Sequence, residues 1–135
     1  MSNRVFVDAS FWIVLREETE DNHIAARELI AELFRQRSQL VTTLPVVCEI
    51  HAYFTRKQFK RELVLNELCR NPIVTVEDVL HQDRDAALRL LATHRDKSYS
   101  LCDALSFIVM RRLGVKRALA FDEHFRQFGE FEILS

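Results

Sequence analysis

The stretch RVFVDASFWIVL, residues 4–15, sets the plan of the chain. Arg4, Val5, Phe6 and Val7 make a short β run that Asp8 ends, and the largely apolar residues 10–15 follow at once. A strand therefore runs straight into a helix, the join from which β-α-β units are built. Beyond the charged break at residues 16–21, Ala26, Leu29, Ile30 and Leu33 recur at helical spacing over residues 22–35. Arg27, Glu28, Glu32 and Arg35 stand off that face, which predicts an amphipathic helix. Residues 40–43 form a second β-like run, and Pro45 suits the first turn of a helix that continues through Glu49, Tyr53 and Phe54.

The pattern then repeats. Residues 60–69 read as helix until Asn71 and Pro72 break them, and the β-branched run Ile73, Val74, Thr75, Val76 predicts a third strand. Helical periodicity returns over residues 78–93 through Ala87, Leu88 and Leu91, a polar loop covers 94–99, and a helix over 100–113 is stopped by Gly114 at its C′ position. Residues 118–121 predict a fourth strand, 122–128 a short helical turn and 131–134 a fifth strand. Strands alternating with helices imply right-handed crossovers. The expected fold is α/β, three layers (α/β/α) around a central, mostly parallel sheet of four to five short strands. With no internal repeat or linker, residues 1–135 are expected to form a single domain.

Composition agrees. Only 2 Gly and 2 Pro disfavour a barrel of tight hairpins, and 48% hydrophobic with 29% charged residues excludes a disordered or low-complexity chain. A net charge of −1 supplies no global field to hold a polyanion, so a nucleic-acid partner needs a local basic patch or a metal. Cys48, Cys69 and Cys102 are odd in number, widely spaced and without a CxxC pair, which suits a reducing cytosol and neither a disulfide framework nor a zinc knuckle. Residues 1–7 lack the apolar core of a leader, and no apolar run reaches the roughly 18 residues of a membrane span. A cytoplasmic protein is expected.

The acids carry the functional information. Asp8 ends strand one, Glu49 lies in the first turns of the helix after strand two, and Asp122 follows strand four. Asp103 opens the helix that leads into strand four. These positions gather at the carboxyl edge of an open α/β sheet, where ligands bind. Singly, Asp8 and Asp122 read as helix caps, and Ser100 with Asp103 resembles a capping box. Glu49, flanked by Val46, Val47, Cys48 and Ile50, otherwise reads as a solvated helix face. Capping does not explain why all four fall on one edge. Four converging carboxylates repel unless protonated or neutralised, and oxygen ligands select Mg²⁺ or Mn²⁺ over zinc.

These motifs resemble the PIN-domain metal-dependent ribonucleases, especially the small VapC-type toxins, over nearly the whole chain. VFVDAS (residues 5–10) looks like the opening strand with the first acid and its hydroxyl, and PVVCE (45–49) is similar to the second-acid helix. SLCDALSF (100–107) and AFDEHF (120–125) resemble the third- and fourth-acid motifs. Two positions depart from the pattern, with Cys102 where such proteins often carry Thr and Ala120 where Thr or Ser is common.

The resemblance implies hydrolysis of RNA phosphodiester bonds with Mg²⁺ or Mn²⁺ held by Asp8, Glu49, Asp103 and Asp122. Asp8 and Asp103 are expected to bind directly, Glu49 and Asp122 directly or through water, and Ser10 to act as a neighbouring or phosphate contact. It also implies an antitoxin protein partner and a homodimer. Arg56, Lys57, Lys60 and Arg61, or Arg111, Arg112, Lys116 and Arg117, are the candidate positive rims for RNA. His51 and His124 read as structural or solvated, and Phe11, Trp12, Phe107, Phe121, Phe125 and Phe128 as core. The chain offers one Asp after strand one and Val76-Glu77 after strand three where a receiver domain needs an acidic pair and a phosphorylatable Asp, and Asp8-Ala9-Ser10 lacks the second acid of the Asp-x-Asp that a haloacid-dehalogenase-like phosphatase needs. The alternative within the family is a catalytically silent PIN-like module that binds RNA or protein, a role that normally accompanies loss of acids.

Overall fold

In the computed structural model, strand β1 (Arg4–Val7) leads through Asp8 into helix α1 (Ala9–Arg16). The structure describes residues 3–135, so the first two residues of the stretch read above for a leader lie outside it. The order continues α2 (His23–Arg35), β2 (Gln39–Thr43), α3 (Leu44–Tyr53), α4 (Gln58–Cys69), β3 (Val74–Glu77) and α5 (His81–Thr93). It closes with α6 (Leu101–Leu113), β4 (Arg117–Leu119), α7 (Glu123–Phe128) and β5 (Glu132–Leu134). The five strands pair in the order β3-β2-β1-β4-β5, and every pairing is parallel. The sheet is therefore wholly parallel where a mostly parallel one was expected.

Central β1 shows why helices must cover both faces. Val5, Phe6 and Val7 alternate between the faces of the sheet, yet all three are fully buried. Phe11 and Trp12 of α1, Ile50 of α3, and Phe107 and Met110 of α6 join the same core. Gly114 takes φ +69° at the end of α6, a left-handed conformation open to glycine, so the expected stop is real.

Several predicted boundaries shift for identifiable reasons. Helix α5 starts at His81 instead of residue 78, because Leu80 N donates to Asp83 Oδ2 at 2.8 Å and Asp78 O is taken by Arg112. Strand β4 ends at Leu119 instead of residue 121, because the backbone N–H groups of Phe121 and Asp122 leave the ladder and donate to Ser10 Oγ. In chain order the sheet grows from β1 to one side through β2 and β3, then to the other through β4 and β5. The direction reverses between β1 and β4, and a crevice outside the carboxyl ends of those two strands is the position where such sheets bind ligands.

Candidate active site

Asp8 leaves the end of β1 and its backbone N–H donates to Leu119 O of β4 at 3.0 Å, which ties the two strand ends together. Its carboxylate is the N-cap of α1 and accepts from Ser10 N at 3.2 Å and Ser10 Oγ at 2.6 Å. Ser10 Oγ in turn accepts from Phe121 N at 3.0 Å and Asp122 N at 3.2 Å. A serine hydroxyl has one donor and two acceptor positions, so all are used inside the protein. Ser10 thus fastens the segment carrying Asp122 to the segment carrying Asp8.

Asp103 is the third residue of α6, and the capping expected there is present. Its N–H donates to Ser100 Oγ at 2.9 Å, and Ser100 N donates back to Asp103 Oδ2 at 3.0 Å. The same Oδ2 lies 2.7 Å from His124 Nδ1. Asp122 caps α7 by accepting His124 N at 2.7 Å, and its Oδ1 stands 3.3 Å from His124 Nδ1. The cap and the cluster coexist. Each acid that satisfies a helix end also faces the same space, since the helices begin at the carboxyl edge of the sheet.

All four predicted acids line one open cleft of about 320 Å³ together with Ser10, Ser100, Ile13 and His124. Among the described residues, no Lys or Arg forms an ion pair with any of the four. Burial, assisted by the charge of Asp103, pushes the Asp8 carboxyl up to about 6 in spite of the opposing hydrogen bonds from Ser10. Glu49, on the exposed side of α3, is also raised, first by partial burial of its carboxyl and then by the charges of Asp103 and Asp122. Burial pushes the Cys102 thiol up to about 12, with Glu49, Asp8 and Asp103 adding to it, so at neutral pH it stays protonated. For His124, burial disfavours the charged ring, but the hydrogen bond to Asp103 and the charges of Asp122, Asp103 and Glu123 outweigh it and raise its pKa.

His124, read from the sequence as structural or solvated, lines the cleft beside the acids. Carboxylate oxygens of Asp103 and Asp122 and a ring nitrogen of His124 lie within 4.8 Å of one another, a spacing compatible with a metal ion. Asp122-x-His124 at the start of a helix was the available signal, but the approach of α7 to α6 depends on tertiary packing. His51 does not line the cleft. The candidate basic rims are largely spoken for. Glu17 is buried, and Lys57 Nζ pairs with it at 2.7 Å and Lys60 Nζ at 3.4 Å; the hydrogen bond from Lys57 holds its carboxyl below the usual range. Arg111 binds Glu130 and Arg112 binds Asp83, so both clusters spend charge on the fold. The aromatics behave as expected of core, with Phe11 stacked on Phe121 and Phe107 on Phe128.

The PIN domain family profile matches residues 5–130. The chain is 32% identical, over 96% of its length and 97% of the relative's, to the 23S rRNA-specific endonuclease VapC20 of Mycobacterium tuberculosis, in strains CDC 1551/Oshkosh and H37Rv. The crystal structure of M. tuberculosis VapC20, described as a sarcin-ricin loop cleaving toxin, matches with a TM-score of 0.86 at 29% identity. That match covers 97% of this chain and 99% of the other.

Proposed function

The chain belongs to the PIN-domain family, and from that membership we propose that it is a metal-dependent endoribonuclease and the toxin of a toxin–antitoxin pair. The observation that carries the reading is the convergence of Asp8, Glu49, Asp103 and Asp122, from separate elements, on one cleft. A nearly full-length relative named for cleavage of 23S rRNA makes structured ribosomal RNA the substrate class to test first.

The donor set fits a divalent cation. Its acids have no Lys or Arg to balance them among the described residues, and Asp8 and Glu49 are raised first by burial and then by the charges of neighbouring acids, both of which a bound cation would offset. Asp8 and Asp103 would hold the ion, with Glu49 and Asp122 binding it directly or through water. When bound, Mg²⁺ or Mn²⁺ supplies Lewis-acid chemistry, lowering the pKa of a water and offsetting charge that builds on the phosphate. The carboxylates act as ligands or proton acceptors, and no side chain here needs to be a nucleophile. Ser10 keeps Asp8 and the Asp122 backbone in fixed relation, so its role is positioning. Cys102, protonated, contributes a weak S–H donor beside Glu49. A small antitoxin partner, a homodimer and a cytoplasmic location complete the proposal; no helix among the described residues is long and apolar enough to cross a membrane.

Incubation of the purified protein with ribosomal RNA tests the reading. Cleavage is expected with Mg²⁺ or Mn²⁺ and none in EDTA. Full cleavage in EDTA would remove the metal from the reaction, and intact RNA under every metal condition would remove the ribonuclease.

A further inference from the structure

We infer that His124 is itself a ligand of the divalent cation, so that the site is a mixed nitrogen and oxygen centre built on Asp103, Asp122 and His124. The inference rests on the metal-dependent reading above and sharpens it, because carboxylates alone would leave an oxygen-only set.

The spacing supports direct ligation. His124 Nδ1 stands 2.7 Å from Asp103 Oδ2 and 3.3 Å from Asp122 Oδ1. Neighbouring ligands on an octahedron with bonds of about 2.1 Å lie about 3.0 Å apart, and the two separations straddle that value. The ring is also held as metal-bound imidazoles are held. Its far nitrogen, Nε2, is 3.4 Å from Ser98 Oγ, and Tyr99 packs edge-to-face on it with centroids 5.7 Å apart. The 2.7 Å contact is a hydrogen bond from Nδ1–H to Asp103, and a cation would take the place of that proton, leaving a neutral ring whose remaining proton, on Nε2, turns toward Ser98. His124 N donates to Asp122 Oδ1 at 2.7 Å, so backbone geometry fixes these two donors relative to each other.

Donor type decides metal preference. Mg²⁺ takes oxygen ligands and gains little from imidazole, whereas Mn²⁺ and the later divalent metals accept nitrogen readily. A nitrogen donor therefore makes the site favour Mn²⁺ over Mg²⁺ by more than its carboxylates would.

The test uses the full chain with Mn²⁺ and Mg²⁺ as probes. Pulsed EPR on the Mn²⁺-loaded wild type should show the ¹⁴N modulation of a coordinated imidazole. His124 is the only histidine among the residues lining the cleft, so this assignment needs no variant. Titration calorimetry on folded His124→Asn should then show the ratio of Mn²⁺ to Mg²⁺ affinity falling about tenfold or more. Bound Mn²⁺ without imidazole nitrogen coupling, or an unchanged affinity ratio in His124→Asn, overturns the inference and leaves the ribonuclease reading standing. A wild-type chain that binds neither cation overturns the metal-dependent reading together with this one.

Discussion

Ser10 donates its hydroxyl proton to Asp8 Oδ2 across 2.6 Å while its own Oγ accepts the backbone N–H groups of Phe121 and Asp122. One small side chain therefore couples the end of β1 to the turn after β4. Ser10→Ala strands two backbone donors and removes the side-chain hydrogen bond that favours ionised Asp8, while the backbone N–H of residue 10 still donates to it. The expected outcome is a stability loss of about 1–3 kcal/mol by thermal melting. RNA cleavage should fall about 10–100-fold, as when a group that orients metal ligands is lost. A variant that melts lower yet cleaves at the wild-type rate would confine Ser10 to the fold.

The edge that collects the acids was legible because strand ends and helix starts have local signatures. RVFV followed by Asp8, and Ser100 spaced three residues from Asp103, each report themselves within a few residues. What escaped is long-range. His124 faces Asp103 across 21 residues of sequence, and Glu17 draws Lys57 across 40, which no periodicity encodes. The shortened β4 has the same origin, since the backbone at Phe121 answers to Ser10, a residue 111 positions away.

Buried Asp8 ties stability to pH. Its folded pKa, raised to about 6 from an ordinary 3.8, means the native state holds this proton more tightly than the unfolded chain. The contribution is complete below about pH 4 and is lost as pH rises through 6, reaching about 3 kcal/mol for a shift of this size. Melting temperatures in EDTA should therefore decline between pH 4 and pH 7, and millimolar Mg²⁺ should restore more of the loss at pH 8 than at pH 5.5. A melting temperature at pH 8 that ignores Mg²⁺ would contradict a cation at the cluster.

Thr43 offers a prediction remote from the chemistry. Its Oγ1 is the one buried side-chain polar atom without a hydrogen-bond partner among the described residues. It ends β2 in extended backbone and makes no side-chain cap for α3. Thr43→Val keeps the shape, removes the unsatisfied hydroxyl and suits a strand residue. Stability should rise by about 1 kcal/mol with cleavage unchanged, read by denaturant unfolding and an RNA assay. A loss of stability would mean the hydroxyl is satisfied in solution.

Asp103 is where capping and catalysis meet on one carboxylate. Oδ2 accepts Ser100 N at 3.0 Å and lies 2.7 Å from His124 Nδ1, while Oδ1 has no hydrogen-bond partner among the described residues. Asp103→Asn retains an acceptor for Ser100 N, so a cap alone predicts a loss of about 1 kcal/mol or less and normal activity. A metal ligand predicts the reverse balance. Neutralising one member of a repelling set relieves Asp8 and Glu49, both of which are raised in part by the Asp103 charge, so the metal-free protein should melt at the same temperature or higher. Cleavage should nonetheless fall about a hundredfold or more, the scale on which a preorganised electrostatic group acts. The two measurements on one variant separate the roles, since a folded Asp103→Asn protein that cleaves at nearly the wild-type rate would leave only the cap.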